Sequence, residues 1–347
     1  MYIPTGAQAE EIDRTMVLDK IDSNLLNIIQ SEFPLYRQPF SRLGAALDIS
    51  TSEAIDRIER LKAVGIIRLI GPVLNPKSLG YRTTLIAAKV PDQYLDNASR
   101  LIGEHPMISH GYLRDDHDFN LWFTLAIPIT EDLDIEARKL GMVMKVETII
   151  NLPALKTFKI EAIFILVTAH SNRALSSQRT EPKARVANKY NLSAIDRAVI
   201  NVLQEDLPSN EQPFDSLSKK MSMDADEFLG HCRNLLQLGI MRRFSAAVNH
   251  SRLGFIANAM TCWQVPPTQV DNVGKKIATF GEVSHCYKRQ TNSLWPHNLF
   301  AMVHADSREN CLAIIDRICT EAFLENNKRK ILFSIKELKK TRVKYKV

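Results

Sequence analysis

The sequence predicts an α+β fold made of two tandem copies of one module. Three observations predict it. The chain of 347 residues repeats itself at a fixed spacing, the first part of each repeat spaces its apolar residues as helices do, and the second part alternates strand-like with helix-like stretches. LDKIDSNLLNIIQSEFP begins at residue 18 and LSAIDRAVINVLQEDLP at 192, an offset of 174. In the same order QPFSRLGAAL matches QPFDSLSKKM, LKAVGIIRLI matches LLQLGIMRRF, and NPKSLGY matches NHSRLGF. With short insertions HPMISHGYLR then matches FGEVSHCYKR, NLWFTLAIP matches NLFAMVHAD, and LKTFKI matches IKELKK.

Within each copy the first part reads as helical. Apolar residues at helical spacing (Leu25, Leu26, Ile28, Ile29; Val199, Ile200, Val202, Leu203) follow Asp22 and Asp196. Short helices are expected at 40–47 and 51–63, with counterparts at 214–221 and 225–237. Ser50 or Thr51 can cap the third helix, and Gly65 and Gly239 can end it. IIRLIGPVLN and IMRRFSAAVN then read as a two-stranded wing in each copy, which makes a winged helix-turn-helix. The second part reads as a strand at 82–90, a helix at 92–104, strands at 107–114 and 120–128, a helix at 130–143 and a strand within 147–167. That is βαββαβ, a ferredoxin-like sandwich with helices on one face, so the other face needs a second sheet or a ligand. The expected divisions are a tail at 1–17, winged helices at 18–79 and 192–253, ferredoxin-like domains at 80–170 and 254–347, and a basic linker at 171–191.

The net charge of +6 is unevenly placed. The segment 171–191 carries +4 and the segment 336–347 carries +5, leaving −3 elsewhere, so the basic pI reads as a linker and a tail rather than a nucleic-acid surface. The five cysteines (Cys232, Cys262, Cys286, Cys311, Cys319) include no C-x-x-C pair, which speaks against a metal cluster or a disulfide framework. No apolar run reaches membrane-spanning length and the first residues do not read as a signal peptide, so a cytoplasmic location is expected.

The clearest candidate for chemistry is SHGYLRDDHDFNLW, 109–122, with its altered echo SHCYKRQTNSLWPHNLF, 284–300. On a strand, side chains alternate, so His110, Tyr112 and Arg114 share one face, as do His285, Tyr287 and Arg289. Such a row reads either as a pocket lining or as a polar strand face at an interface. His117 lies in the loop between strands among Asp115, Asp116 and Asp118, and Trp295 and His297 lie in the longer loop of the second copy. His105, His170, His231, His250 and His304 take structural readings, and Trp122 reads as core.

Winged helix followed by βαββαβ is the layout of the Lrp/AsnC transcription regulators. DNA binding is disfavoured, because the second recognition-helix candidate, MDADEFLGHCRNLLQLG, opens with Asp224, Asp226 and Glu227 and no base. PLYRQPFSRLGAAL, GPVLNPKSLGYRTTLIAAKV, SHGYLRDDHDFNLWFTL and LPALKTFKI resemble the A-type subunit of siroheme decarboxylases. QPFDSLSKKM, AAVNHSRLGF, SHCYKR, WPHNLF and KELKKTRVKY resemble the B-type subunit. The resemblance spans nearly all of 18–347 and is that of a fused A–B chain of the NirDL type. It implies loss of CO2 from two acetate side chains (C12 and C18) of siroheme, giving 12,18-didecarboxysiroheme on a route to heme d1 or to heme, with no organic cofactor. Siroheme iron belongs to the substrate. The alternatives are a DNA-binding regulator and a heme- or siroheme-binding sensor.

That reaction needs a proton donor near the acetate, cations for the other carboxylates and a dry pocket. Histidine, arginine and tyrosine suit those roles. The resemblance therefore makes His110, His117, His285, Tyr112 and Tyr287 catalytic candidates and Arg114, Arg289, Trp295, His297, Asn120 and Asn298 substrate-binding candidates. His110 or His117 can donate the proton or meet the substrate iron. The family often reads WPYN where this chain has WPHN, so His297 departs from the pattern. Homodimers of the fused chain are expected.

Overall fold

The computed structural model describes residues 18–116, 118–160, 166 and 192–347. The first half opens with α1 (Lys20–Ser31), α2 (Pro39–Leu47) and α3 (Thr51–Ala63), followed by β1 (Ile67–Leu74). Asp19 caps α1 by accepting from the Asp22 amide at 2.7 Å, and Asp22 accepts back from the Asp19 amide at 3.3 Å, a reciprocal capping box. Ser50 caps α3. Gly65, just past α3, stands at φ +70°, where the absence of a Cβ lets the chain turn. The second half repeats this as α6 (Ala194–Leu203), α7 (Pro213–Lys219), α8 (Ala225–Gln237) and β6 (Met241–Val248).

The wings differ from expectation. Neither half makes its own two-stranded ribbon. β1 and β6 are single strands that pair antiparallel with each other, with Ile70 opposite Ala246 and Pro72 opposite Phe244. IIRLIGPVLN contains no Asn-Gly or Asp-Gly turn to fold it back, so it stays extended and meets its sister strand. The two helical parts accordingly share one core, in which Leu26, Phe33 and Ile70 pack with Ile200, Phe214 and Phe244.

The ferredoxin-like halves comprise β2 (Tyr81–Lys89), α4 (Leu95–Glu104), β3 (Ile108–Arg114), β4 (Leu121–Pro128), α5 (Leu133–Met144) and β5 (Thr148–Ile160), then β7 (Ala257–Trp263), α9 (Val270–Ile277), β8 (Val283–Arg289), β9 (Leu299–Ala305), α10 (Arg308–Glu321) and β10 (Arg329–Lys340). The eight strands close into one barrel in the order β10-β3-β4-β2-β5-β8-β9-β7. β5 pairs with β2 through 148–153 and with β8 through 154–160. β10 pairs with β7 through 329–333 and with β3 through 334–340. β3 is not a sheet edge, because a strand from the other half covers it. Helices α4 and α5 cover the outside of one half of the barrel, and α9 and α10 cover the other.

The basic segment after Lys336 is not a free tail. Its first residues lie in β10, and 341–347 runs back as a strap under the helical layer. Arg342 donates to the Pro72 carbonyl at 3.0 Å and to the Ser245 carbonyl at 3.2 Å, so it ties the strap to both wing strands. The Tyr345 amide donates to Gln204 at 2.6 Å, and the Tyr81 hydroxyl to the Lys346 carbonyl at 3.0 Å. The charge that looked like an accessory extension is structural. The 171–191 linker lies outside the described residues.

Candidate active site

Neighbouring strands of the barrel are antiparallel, so β3 and β8, four steps apart, run the same way. His110 and His285 begin the two strands at one end of the barrel, and the loops 115–120 and 290–298 close the other. Gly111 lies on the helix-covered face, where a Cβ would meet Ile102 of α4 at 2.3 Å. Cys286 lies on the same outer face and points its thiol at the Gly274 carbonyl of α9. Alternation then turns His110, Tyr112 and Arg114 inward, together with His285, Tyr287 and Arg289. The expected rows thus meet inside one barrel.

The loop end of the barrel is plugged. Trp122, Phe119, Trp295, Phe300, Leu152 and Leu332 form an apolar cluster, with the Trp122 and Trp295 rings 5.1 Å apart. The histidine end is polar. His110 hydrogen-bonds Ser109 at 2.8 Å through Nδ1, and His285 bonds Ser284 in the same way at 2.8 Å. In each ring Nε2 stays outside that bond. Arg114 donates to the Leu332 carbonyl at 2.8 Å and Arg289 to the Leu152 carbonyl at 2.8 Å. Their guanidinium carbons stand 5.3 and 4.7 Å from the rings of Tyr112 and Tyr287. Among the described residues the Nε of each of these arginines has no hydrogen-bond partner. Neither makes an ion pair to a carboxylate among the ion pairs of the described residues.

The electrostatics run along the barrel, with the arginines against the plug and the histidines at the other end. Burial pushes Arg114 and Arg289 down to about 10. Burial, and then the charge of Lys340, pushes His110 down to about 3 and His285 to about 4. His110 is exposed, yet its pKa behaves as that of a buried group. Lys340, His285 and Arg68 of β1 also act on it there. The inward row thus presents neutral imidazoles at one end and phenols and cations toward the plug, which suits a ligand that brings its own negative charge.

Two histidines that the sequence left as structural belong here. His304 Nε2 lies 2.7 Å from the Ser284 hydroxyl, the His250 and His304 rings meet edge to face with centroids 5.1 Å apart, and Lys340 Nζ lies 2.6 Å from His250 Nδ1. His304 occupies an inward position of β9, two residues from Met302, which parity would have revealed once β9 was placed. Nothing local marks His250, which reaches the site from the turn after β6.

The remaining candidates lie elsewhere. His117 is outside the described residues, as is His170. Trp295, 1% exposed, belongs to the plug, and His297 packs against it with ring centroids 5.0 Å apart. Both line a separate cleft of about 460 Å³ with Lys89, Asp118, Phe119 and Lys330. Lys330 there already holds Asp116 at 3.2 Å and Asp118 at 3.0 Å. Asn120 and Asn298 do not reach toward a ligand. Each brackets a strand end, Asn120 accepting from and donating to the backbone of Val90 at 2.9 and 2.8 Å, and Asn298 doing the same with Val265 at 2.9 and 2.8 Å. Their substrate-binding reading is corrected to a fold role, because the carbonyl oxygen and one amide hydrogen of each are committed to backbone. Arg82, on the outer face of β2, donates to the Ile129 carbonyl, and Lys89 pairs with Glu147 at the loop end.

Comparison with known proteins bears on what this site serves. A model of the AsnC-like ligand binding domain matches residues 78–159 and 252–339, and a model of the siroheme decarboxylase NirDL-like HTH domain matches 22–68 and 196–242. A siroheme decarboxylase of Hydrogenobacter thermophilus is 35% identical over 323 residues, covering 92% of this chain and 93% of that one. The chain belongs to the siroheme decarboxylase family. A NirDL subunit of Paracoccus pantotrophus is 31% identical, over 92% of this chain and 95% of its own. The crystal structure of siroheme decarboxylase NirDL in co-complex with an iron-uroporphyrin III analogue superposes with a TM-score of 0.68 at 33% identity, covering 94% of this chain and 95% of that chain. Both halves fall within these matches, so the family accounts for the whole repeat. No helix among the described residues is long and apolar enough to cross a membrane.

Proposed function

We propose that this chain is a carboxy-lyase that removes CO2 from the C12 and C18 acetates of siroheme, giving 12,18-didecarboxysiroheme for heme d1 or heme synthesis. The observation that carries the reading is the paired inward row, in which two histidines, two tyrosines and two arginines, without a carboxylate partner among the described residues, face one barrel interior from both halves of a fold shared with siroheme decarboxylases. Arg114 and Arg289 anchor peripheral carboxylates through their free N–H groups, and Tyr112 and Tyr287 lie against the macrocycle. Loss of CO2 leaves an electron pair on the methylene carbon, which the macrocycle delocalises until that carbon takes a proton. A histidine of the row supplies it. The substrate carries its own electron sink, so the reaction calls for no further cofactor.

The test is anaerobic incubation of the purified chain with siroheme and mass spectrometry of the extracted tetrapyrrole. Loss of two carboxyl groups is expected; intact siroheme refutes the proposal. A siroheme sensor would shift the Soret band without turnover. A DNA-reading role has little support, because Arg57 and Arg60 of α3 are drawn into Asp22 at 2.8 and 2.7 Å. A homodimer of the fused chain is part of the proposal. Leu155 and Ile335, at matching places on β5 and β10, are both exposed, and light scattering at the monomer mass would remove this part. Five buried free thiols favour a reducing compartment such as the cytoplasm.

A further inference from the structure

The decarboxylase reading leaves open how the site is recharged. Each acetate consumes one proton: the bond to the carboxylate breaks, CO2 leaves, and a C–H bond forms on the methylene carbon. Two acetates need two protons at a row of inward-facing groups. We infer that Lys340, His250, His304 and Ser284 form an internal proton relay that recharges His285, making the second-copy histidine the resupplied proton donor.

The path is hydrogen-bonded at both ends and joined by a ring contact in the middle. Lys340 Nζ donates to His250 Nδ1 at 2.6 Å. The His250 and His304 rings meet edge to face with centroids 5.1 Å apart, and the proposed path passes between them there. His304 Nε2 lies 2.7 Å from Ser284 Oγ, and Ser284 Oγ lies 2.8 Å from His285 Nδ1. A serine hydroxyl held between two ring nitrogens donates to one while accepting from the other, which is what a relay step requires. The order of events conserves protons. His285 gives a proton to the methylene carbon and takes one from Ser284, whose oxygen takes one from His304. The deficit passes through His250 to the Lys340 ammonium, which becomes an amine and is recharged by solvent. Lys340 is only half-buried, and burial lowers its pKa to about 8, close to what proton exchange near neutrality needs.

The asymmetry of the repeat supports the assignment. Ser109 and His110 reproduce the Ser284–His285 contact in the first half. By the alignment of the two copies, however, His304 corresponds to Ala126, His250 to Pro76 and Lys340 to Ile160. The first-copy histidine has no such chain behind it. The cross-pairing of the strands sets Lys340 opposite His110 and the apolar Ile160 opposite His285.

The inference rests on the proposed decarboxylation, so the experiment separates the two. Full-length wild type, Ser284→Ala, His304→Gln, the double variant and Ser284→Thr are assayed in single turnover with siroheme in H2O and D2O. Intact siroheme with wild type refutes the decarboxylase reading. Given turnover, the relay predicts that each single variant slows the step by about tenfold or more and enlarges the solvent isotope effect. The double variant should be no slower than either single, because links in series fail together, and Ser284→Thr should restore the rate. Unchanged rates, additive losses, or losses without a changed isotope effect overturn the relay. If Ser284→Ala does not fold, His304→Gln against Ser284→Thr gives the same decision through the rate and the isotope effect.

Discussion

Replacing Arg114 by methionine should make the empty protein more stable and the site weaker. Arg114 is 4% exposed, its side chain donates to the Leu332 carbonyl and weakly to Met302 Sδ, and it pairs with no carboxylate among the described residues. Holding a guanidinium at about 10 instead of 12.5 corresponds to about 3 kcal/mol against the charged fold at neutral pH. The sign is fixed by the direction. The folded pKa lies below the unfolded one, so this penalty is fully present below about pH 10 and fades only as pH rises toward 12.5. Methionine removes the charge and keeps most of the volume, at the loss of a hydrogen bond worth about 1 kcal/mol. The net gain is about 2 kcal/mol, which raises the apparent thermal midpoint of the 347-residue chain by about 3 °C. A carboxylate that met this guanidinium loses a charge-assisted bond worth about 1.5–3 kcal/mol, so siroheme should bind about 10- to 100-fold more weakly. Differential scanning calorimetry of the empty protein and anaerobic Soret titration measure the two halves of the claim. A variant that is less stable and binds siroheme unchanged would refute the reasoning, since Arg114 would then be serving the fold and not a ligand.

Acid should destabilise the empty protein early: burial holds His110 at about 3 and His285 at about 4, so stability present above pH 6.5 is lost as pH falls from there toward 4. Carboxylates of a bound tetrapyrrole should raise both values, so binding takes up protons and weakens as pH rises; calorimetry in buffers of different ionisation enthalpy reads the uptake. Asn120→Ala removes two backbone bonds and should cost about 1–3 kcal/mol in urea unfolding with KM unchanged; a raised KM at unchanged stability would return Asn120 to the substrate. Gly111→Ala places a Cβ 2.3 Å from Ile102 Cγ2 and should cost about 1–3 kcal/mol, recovered in part by adding Ile102→Ala; equal losses with and without the second change would show that the helix contact is not the cause.

The parts of this fold that depend on local pattern were readable in the sequence. Helix periods, caps, the helix-ending glycines and the inward parity of His110, Tyr112 and Arg114 all follow from residues within a few positions of one another. What escaped was partnership. Period two says which face a residue takes but not which strand lies beside it. Nothing in IIRLIGPVLN or LKTFKI says that its partner belongs to the other copy. The same limit hid His250 and His304, which gain meaning only when a turn after β6 and the middle of the barrel are brought together. Asn120 and Asn298 misled for a related reason: an asparagine beside a candidate motif looks like a ligand contact until the backbone it brackets is known.

The exchange of strands also has a cost in time. β8 finds β5 already made, but β3 waits for β10, whose Leu332 carbonyl is 218 residues from Arg114. At about 5–20 residues per second of synthesis, the edge of β3 stays open for roughly 10–40 s. Through that interval the first sheet offers unpaired backbone to any passing strand. The nascent chain is therefore most vulnerable to mispairing before β10 emerges, so slow translation of the second half should lower soluble yield more than slow translation of the first.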